Sequence, residues 1–328
     1  MQRMTLALGL AALLLVLGCD QNSSGPGGGS SGGTPQAPAS TFDPAPIPLL
    51  ILDSSLPVAV TGQTYSHQMT AIGGSGTYYW TITGGAGTGL VNLTPAGVLT
   101  VLTIPMGTTG TNLVFTVQDS LGRTANRQLN LHANMPPPPP SYLQEGTTYV
   151  LHGGSQMAAI DQGQTLSRFQ RAVQSLMAEI ADRLWDPAIT TNHDEFAVVL
   201  CGHDNASLLP GNIRTAQVAD KISAINALAT LTPGGDAPMY AAIQLAETTN
   251  GTLAAPTRLC LLSGGSFGSD SAAPGGQATF ANVLALVGSW TMPASLHTHS
   301  LDFAPAGTHL QFMQDFAALT TQGTYSAP

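Results

Sequence analysis

One lysine, Lys221, stands in the whole 328-residue chain, and nine basic residues face eighteen acidic ones for a formal net charge of −9. Only 8% of residues are charged. Such a surface has no basic stripe with which to neutralise a run of phosphates, so nucleic acid is excluded as a partner class. There are three cysteines, Cys19, Cys201 and Cys260, too few for a disulfide framework. No apolar run reaches the length of a comfortable membrane span; the longest, "TLALGLAALLLVLG" at 5–18, has the size of a signal h-region. What is abundant is hydrophobic content, 43%, enough for real cores, together with 37 glycines and 23 prolines that are unevenly spread.

The first segment reads as an export signal. A short basic start, "MQRM", precedes the apolar run, which stops at Gly18-Cys19. "VLGC" resembles the bacterial lipobox. That resemblance implies that Cys19 is lipidated and becomes the first residue of a mature protein held at the cell envelope, on the periplasmic face or the cell surface. The sequence after it, "DQNSSGPGGGSSGGTPQAPAS", has nothing to fold with and reads as a flexible tether. The expected organisation is therefore a signal peptide over 1–19, a tether over 20–47, a β module over 48–133, a proline-rich linker over 134–145 and an α/β domain over 146–328. The only expected contact with a membrane is the lipid anchor.

Within 48–133, short alternating segments are separated by turn signals such as "GGSG", "TPAG" and "SLGR". The segments are "LLIL", "LPVAV", "TYSHQMTA", "TYYWTI", "GVLTVL", "NLVFTVQD" and "RQLNLHA". About seven such strands predict an all-β sandwich of immunoglobulin type. Tyr78, Trp80 and Ile82 alternate onto one face, as core residues do. The wording of "LPVAVTGQTYSHQMTAIGGSGTYYWTITGG" and "FTVQDSLGRTANRQLNL" resembles the Ig-like repeat common in bacterial surface proteins, whose members serve mostly as spacers and adhesive scaffolds. "MPPPPPSY" then predicts a stiff polyproline spacer between two independently folding units with few contacts across it.

From Gly146 the pattern changes to strands alternating with helices. "TTYVL", "FAVVLCG", "RLCLLS", "LHTHSLDF" and "GTYS" read as strands of a doubly wound α/β sheet of about six strands. The helices between them include "TLSRFQRAVQSLMAEIADRLW", with Leu166, Phe169, Val173, Leu176, Ile180 and Leu184 on one stripe. Strand, Gly-rich turn and helix meet at "VLHGGSQM", where α/β proteins place phosphate, metal or oxyanion sites.

Over this segment the chain resembles the von Willebrand factor type A domain. "YVLHGGSQM" matches that family's first strand and metal loop, "LTPGGDAPMYAAIQLA" the loop that carries its threonine, and "TRLCLLSGGSFGS" its central strand and aspartate loop. The resemblance implies a Mg²⁺ or Mn²⁺ site built from D-x-S-x-S, a separate Thr and a separate Asp, all hard oxygen donors. In this chain those positions hold His152, Gly154, Gln156, Ala237 and Gly264. All five ligands are missing, so the loop is expected to keep its turn without its metal, and no cofactor is expected. The type A strand order also implies that the strands of Cys201 and Cys260 flank the first strand, too far apart for a disulfide.

The functional expectation is a non-enzymatic, lipid-anchored envelope protein whose type A domain binds an unknown protein partner at the top face, where the loops around His152, Asp236 and Gly265 meet. Two alternatives use the same residues. Gly264-Gly265-Ser266-Phe267-Gly268 fits G-x-S-x-G, with Asp302 and His309 downstream in the chain order of a serine esterase. His152, His203 and Asp204, with Asp236 and Asp161 nearby, offer nitrogen and oxygen donors that suit a transition metal. His297 and His299 alternate on one strand and read as structural.

Overall fold

A computed structural model describes residues 45–61, 63–102, 110–133, 144–185, 193–209, 213–291 and 296–328. The signal, the tether as far as residue 44 and the run of prolines in the linker lie outside the described residues; in the last three residues of the expected tether, 45–47, Ala45 and Ile47 are instead packed against the core. No described helix is long and apolar enough to cross a membrane.

The C-terminal part is a mixed α/β domain around a largely parallel sheet. Strand β9 (Gly146–His152) is buried along its whole length, as its position at the centre requires. It pairs in parallel with β10 (Glu195–Gly202) on one side and β13 (Pro256–Ser263) on the other. Beyond β13 lie β14 (His297–Asp302) and β15 (Thr324–Ser326), also parallel. On the other edge two short antiparallel strands, β11 (Asn205–Leu208) and β12 (Arg214–Thr215), pair with β10. These two strands are additions to the expected set. β10 and β11 are joined by a two-residue turn in which His203 and Asp204 both have positive φ, 52° and 60°. That is the geometry two-residue hairpins favour, reached here without glycine.

Helices cover both faces. On one lie α1 (Arg168–Asp182) and α2 (Val218–Leu228), over a core of Leu151, Phe169, Val173, Leu176, Ile180 and Phe196. On the other lie α3 (Met239–Asn250), α4 (Phe280–Gly288) and α5 (Gly307–Ala317), over Val150, Val199, Ile243, Leu261 and Phe312. α1 starts where its sequence says it should: Ser167 accepts from Gln170 N and the Gln170 side chain accepts from Ser167 N, a reciprocal cap. Cys201 and Cys260 are unpaired, buried, and on the strands that flank β9.

The N-terminal part is built from strands with a short 3₁₀ turn, Thr88–Leu90. β1 (Leu50–Ile51) pairs with β3 (Ala71–Ile72). β2 (Ser66–Gln68), β6 (Val98–Val101) and β5 (Val91–Leu93) form one three-stranded sheet, and β4 (Tyr78–Gly84), β7 (Thr111–Asp119) and β8 (Thr124–Leu131) form another. Trp80 is 3% exposed in the core between them, with Leu99, Leu113, Phe115 and Val117. The expected strand "LPVAV" is reduced to a single bridge, Ala59 to Ala133.

The expectation of few contacts between the two parts is corrected. Ala45 and Leu52 belong to the core under α1, and Phe42–Pro328 clusters as one compact unit. The junction is polar and specific. Lys221 Nζ, wholly buried, donates to Leu52 O, Ala181 O and Arg183 O at 3.1, 2.9 and 2.6 Å. Arg127 of β8 donates to Ile51 O and Ala181 O, and Ser54 and Ser55 donate to Trp185 O. These cations and hydroxyls satisfy carbonyls at the C-terminal end of α1 that have no partner inside the helix. A pattern of apolar periodicity does not reveal such bonds, because their acceptors are backbone atoms distant in sequence.

Candidate functional site

The parallel strands β9, β13 and β14 end side by side at His152, Ser263 and Asp302. All three residues are fully buried. His152 Nδ1 lies 2.9 Å from Ser263 Oγ, and Ser263 Oγ lies 3.2 Å from Nε2 of His309, in the first turn of α5. His309 Nδ1 lies 3.1 Å from Asp302 Oδ1, an ion-pair distance without hydrogen-bond alignment. Three strand ends and one helix start are thus joined by a single polar chain.

The proton positions in this chain follow from its donors. Gly265 N–H can only donate, and it faces His309 Nε2 at 3.3 Å. That nitrogen therefore carries no proton, and the His309 proton sits on Nδ1, toward Asp302. The Ser263 hydroxyl then donates to His309 Nε2 and accepts from His152 Nδ1–H. His152 is neutral: burial, with the nearby His309 as a second cause, pushes its pKa down to about 3. Its Nε2 is left as a bare lone pair with no partner. That atom faces a space of about 10 Å³ bordered by Gly154, Gln156, Asp236, Ala237 and Ser266, room for about one water.

The loops above this chain hold one another. Ser266 Oγ donates to Gln156 Oε1 at 2.6 Å, Ser155 N to Gly235 O, and Gly268 N to Ala237 O. Asp236 accepts from Ser269 N, which keeps its carboxyl below the usual range, while its own N–H donates to Asp204 Oδ1. Asp161 is held by Arg168 and Arg171, and Arg168 also donates to Gly264 O at 2.9 Å. The three loops named from sequence do converge, but their polar groups are spent on each other.

The five positions that match type A ligands come together and offer little to a hard cation. Between them they carry one imidazole nitrogen and one amide oxygen, against the six oxygens Mg²⁺ prefers. Two of them are crowded against their neighbours. A Cβ on Gly264 would lie 3.0 Å from Phe303 Cβ and 3.1 Å from Met157 Sδ. A Cβ on Gly154 would lie 2.9 Å from His152 Nε2 and 3.0 Å from Ala237 Cβ. The residues do not fit the magnesium that the type A resemblance implies.

The alternative sites are corrected by the same geometry. His203 is exposed and turned to Thr232 O, 2.9 Å away, and Asp204 is engaged with Asp236 N, so neither joins His152. Among the described residues no group of three or more His, Cys, Asp or Glu side chains converges to hold a metal. Ser266 bonds Gln156 and not His309; after it comes an irregular stretch, with α4 starting only at Phe280. The serine that meets His309 and Asp302 is Ser263, which the sequence reading passed over as a strand residue. It is 0% exposed, so it faces no substrate. His299 Nδ1 sits 2.5 Å from Thr324 Oγ1, consistent with a structural part.

No family model and no curated protein matches the sequence. Several solved structures share parts of its shape. A von Willebrand factor type A protein from Catenulispora acidiphila superposes with a TM-score of 0.39 at 13% identity, over 78% of this chain and 47% of that one. An intimin mutant from EHEC O157:H7 gives 0.18 at 16% identity over 26% of this chain and 43% of that one. The N-terminal Ig1-2 module of the Drosophila receptor protein tyrosine phosphatase DLAR gives 0.19 at 16%, over 33% and 61%. The chain spans about half the length of the first of these and less than two thirds of the others. Scores this low leave the functional reading to the chain's own residues.

Proposed function

We propose that this chain is a non-enzymatic, lipid-anchored envelope protein in which an immunoglobulin-like module and a metal-less type A domain together present a loop surface to a protein partner. The observation that carries the reading is the chain His152–Ser263–His309–Asp302. It ties His152 Nδ1, Ser263 Oγ and His309 Nε2 to one another inside the domain, where a catalytic or metal site would aim such groups outward, and leaves His152 Nε2 facing only the small space under the loops. What remains for a partner is the loop surface above, with Gln156, Asp236 and Ser266 around a space too small for a substrate. Export and anchoring rest on "VLGC" at 16–19 and the tether after it.

The test has three arms. Metabolic labelling with a fatty acid should mark the chain and fail on Cys19→Ser. Titration with Mg²⁺ or Mn²⁺ to millimolar levels should leave the melting temperature unchanged, whereas a rebuilt site at 100 Kd would add about 2.7 kcal/mol. p-Nitrophenyl esters should not be turned over. A metal-dependent rise in melting temperature, or ester hydrolysis lost on Ser263→Ala, would overturn the reading.

A further inference from the structure

His152 is fully buried, and its bare Nε2 faces the space of about 10 Å³ beneath the loops. Two further acceptors border the same space. Gln156 Oε1 accepts from Ser266, and the Asp236 carboxylate accepts from Ser269 N, so each keeps lone pairs to spare. A glycine abuts each of the three. A Cβ on Gly154 would lie 2.9 Å from His152 Nε2, one on Gly265 2.9 Å from Gln156 Oε1, and one on Gly268 2.6 Å from Asp236 Oδ1. A larger residue at any of these positions would press on an acceptor that glycine leaves open.

The charge around the space has one sign. The loops 152–161, 202–205, 232–238 and 264–270 contain four aspartates and neither lysine nor arginine. Asp161 is neutralised by Arg168 and Arg171, and Asp270 is buried. Asp204 and Asp236 are exposed, and among the described residues no salt bridge engages either. Spare acceptors under a negative rim suit a cation that donates hydrogen bonds. Size decides which one. Room for about one water admits an ammonium, a compact point charge with three donors, and not a planar guanidinium. A second copy of this chain cannot supply that ammonium, because its single lysine, Lys221, is wholly buried at the junction.

Resting on the reading of these loops as a partner surface, we propose that the partner is a protein that presents a lysine here, its ammonium entering the space among His152 Nε2, Gln156 Oε1 and Asp236. A cation then still sits at the ends of the parallel strands, and the partner brings it.

The experiment uses the full chain, with its histidines labelled for nitrogen NMR. It is titrated at constant ionic strength with n-butylammonium, which mimics a lysine side chain, and with n-butylguanidinium. Butylammonium should move the His152 Nε2 resonance upfield and saturably, and butylguanidinium should move it much less. Asp236→Asn keeps the shape and removes the charge, and it should weaken the butylammonium response about tenfold. Gly154→Ala should abolish the response by covering Nε2; should that variant fail to fold, Asp236→Asn carries the comparison alone. No saturable shift with butylammonium would overturn the proposal and leave the space to water. An equal response to both cations, or an unchanged response in Asp236→Asn, would overturn it in favour of a diffuse negative surface. A shift caused by Zn²⁺ and not by butylammonium would overturn both this proposal and the metal-less reading. If the amine and the metals alike leave the resonance unmoved, only the lysine falls, and the loop surface keeps its place in the proposed function.

Discussion

Lys221→Met tests the junction between the strands and the α/β domain. The variant keeps the apolar stem and removes the amine. In the folded chain Nζ is wholly buried and donates to three carbonyls, Leu52 O, Ala181 O and Arg183 O. Burial, aided by the charge of Arg127, pushes the lysine pKa from 10.5 down to about 7, against the opposite pull of Asp182, Asp53 and Asp194. The sign follows directly. Between about pH 7 and 10.5 the unfolded chain holds a proton on this lysine that the folded chain does not, so stability rises with pH through that window. The slope reaches about 1.4 kcal/mol per pH unit at most, and the whole shift is worth on the order of 4–5 kcal/mol as an upper bound. Removing the amine also takes the donor from Leu52 O and Arg183 O, at about 1–3 kcal/mol for each that water does not reach, while Ala181 O keeps Arg127. Urea denaturation of parent and variant at pH 6.5, 8 and 9.5 measures both effects. The variant should be less stable throughout, and the gap should widen as pH rises. Parallel pH profiles would refute the reasoning, because they would mean that the amine keeps its solution pKa and its charge in the folded chain.

One further substitution and one reaction follow from the structure. Gly264→Asp restores the carboxylate that the type A pattern has at that position, but its Cβ meets Phe303 and Met157 at about 3 Å. It should cost about 1–3 kcal/mol and confer no Mg²⁺-dependent stabilisation; a magnesium-stabilised variant would show that the loop still has its ligand geometry. Cys201 and Cys260 are buried, and burial raises the Cys201 thiol pKa and lifts that of Cys260 to about 12. Iodoacetamide at pH 8 should modify neither in the native chain and both after denaturation without reductant, as read by peptide mapping; a protected pair in the denatured chain would reveal a disulfide and contradict the strand order.

The parallel strands and the covering helices were legible because their signal is apolar and local. "FAVVLCG" is continuous because β10 is covered on both faces, and the α1 stripe repeats at helical spacing. The β10–β11 hairpin was hidden, because its turn uses His203 and Asp204 at positive φ where a sequence reader looks for Asn-Gly. Ser263 was hidden for a different reason. Its partners His152 and His309 are 111 and 46 residues away, while nearby Ser266 fits a familiar five-residue pattern. Val91–Leu93, β5, was missed because it is too short to show alternation. The sequence pattern singled out Gly154 and Gly264 among the positions that match type A ligands. That a side chain at either would crowd its neighbours was readable only from the packing around them.

The strand module grips the α/β domain at Ala181 and Trp185, at the end of α1, and Lys221 of α2 holds the module's Leu52 in return; the parallel strands begin there. The loop surface is at the other end of the same strands. A pull applied to the module therefore enters the domain far from the surface that would hold a partner. Tension would first strain the carbonyls gripped by Lys221 and Arg127, and the loops around His152 would keep their shape until that grip gave way.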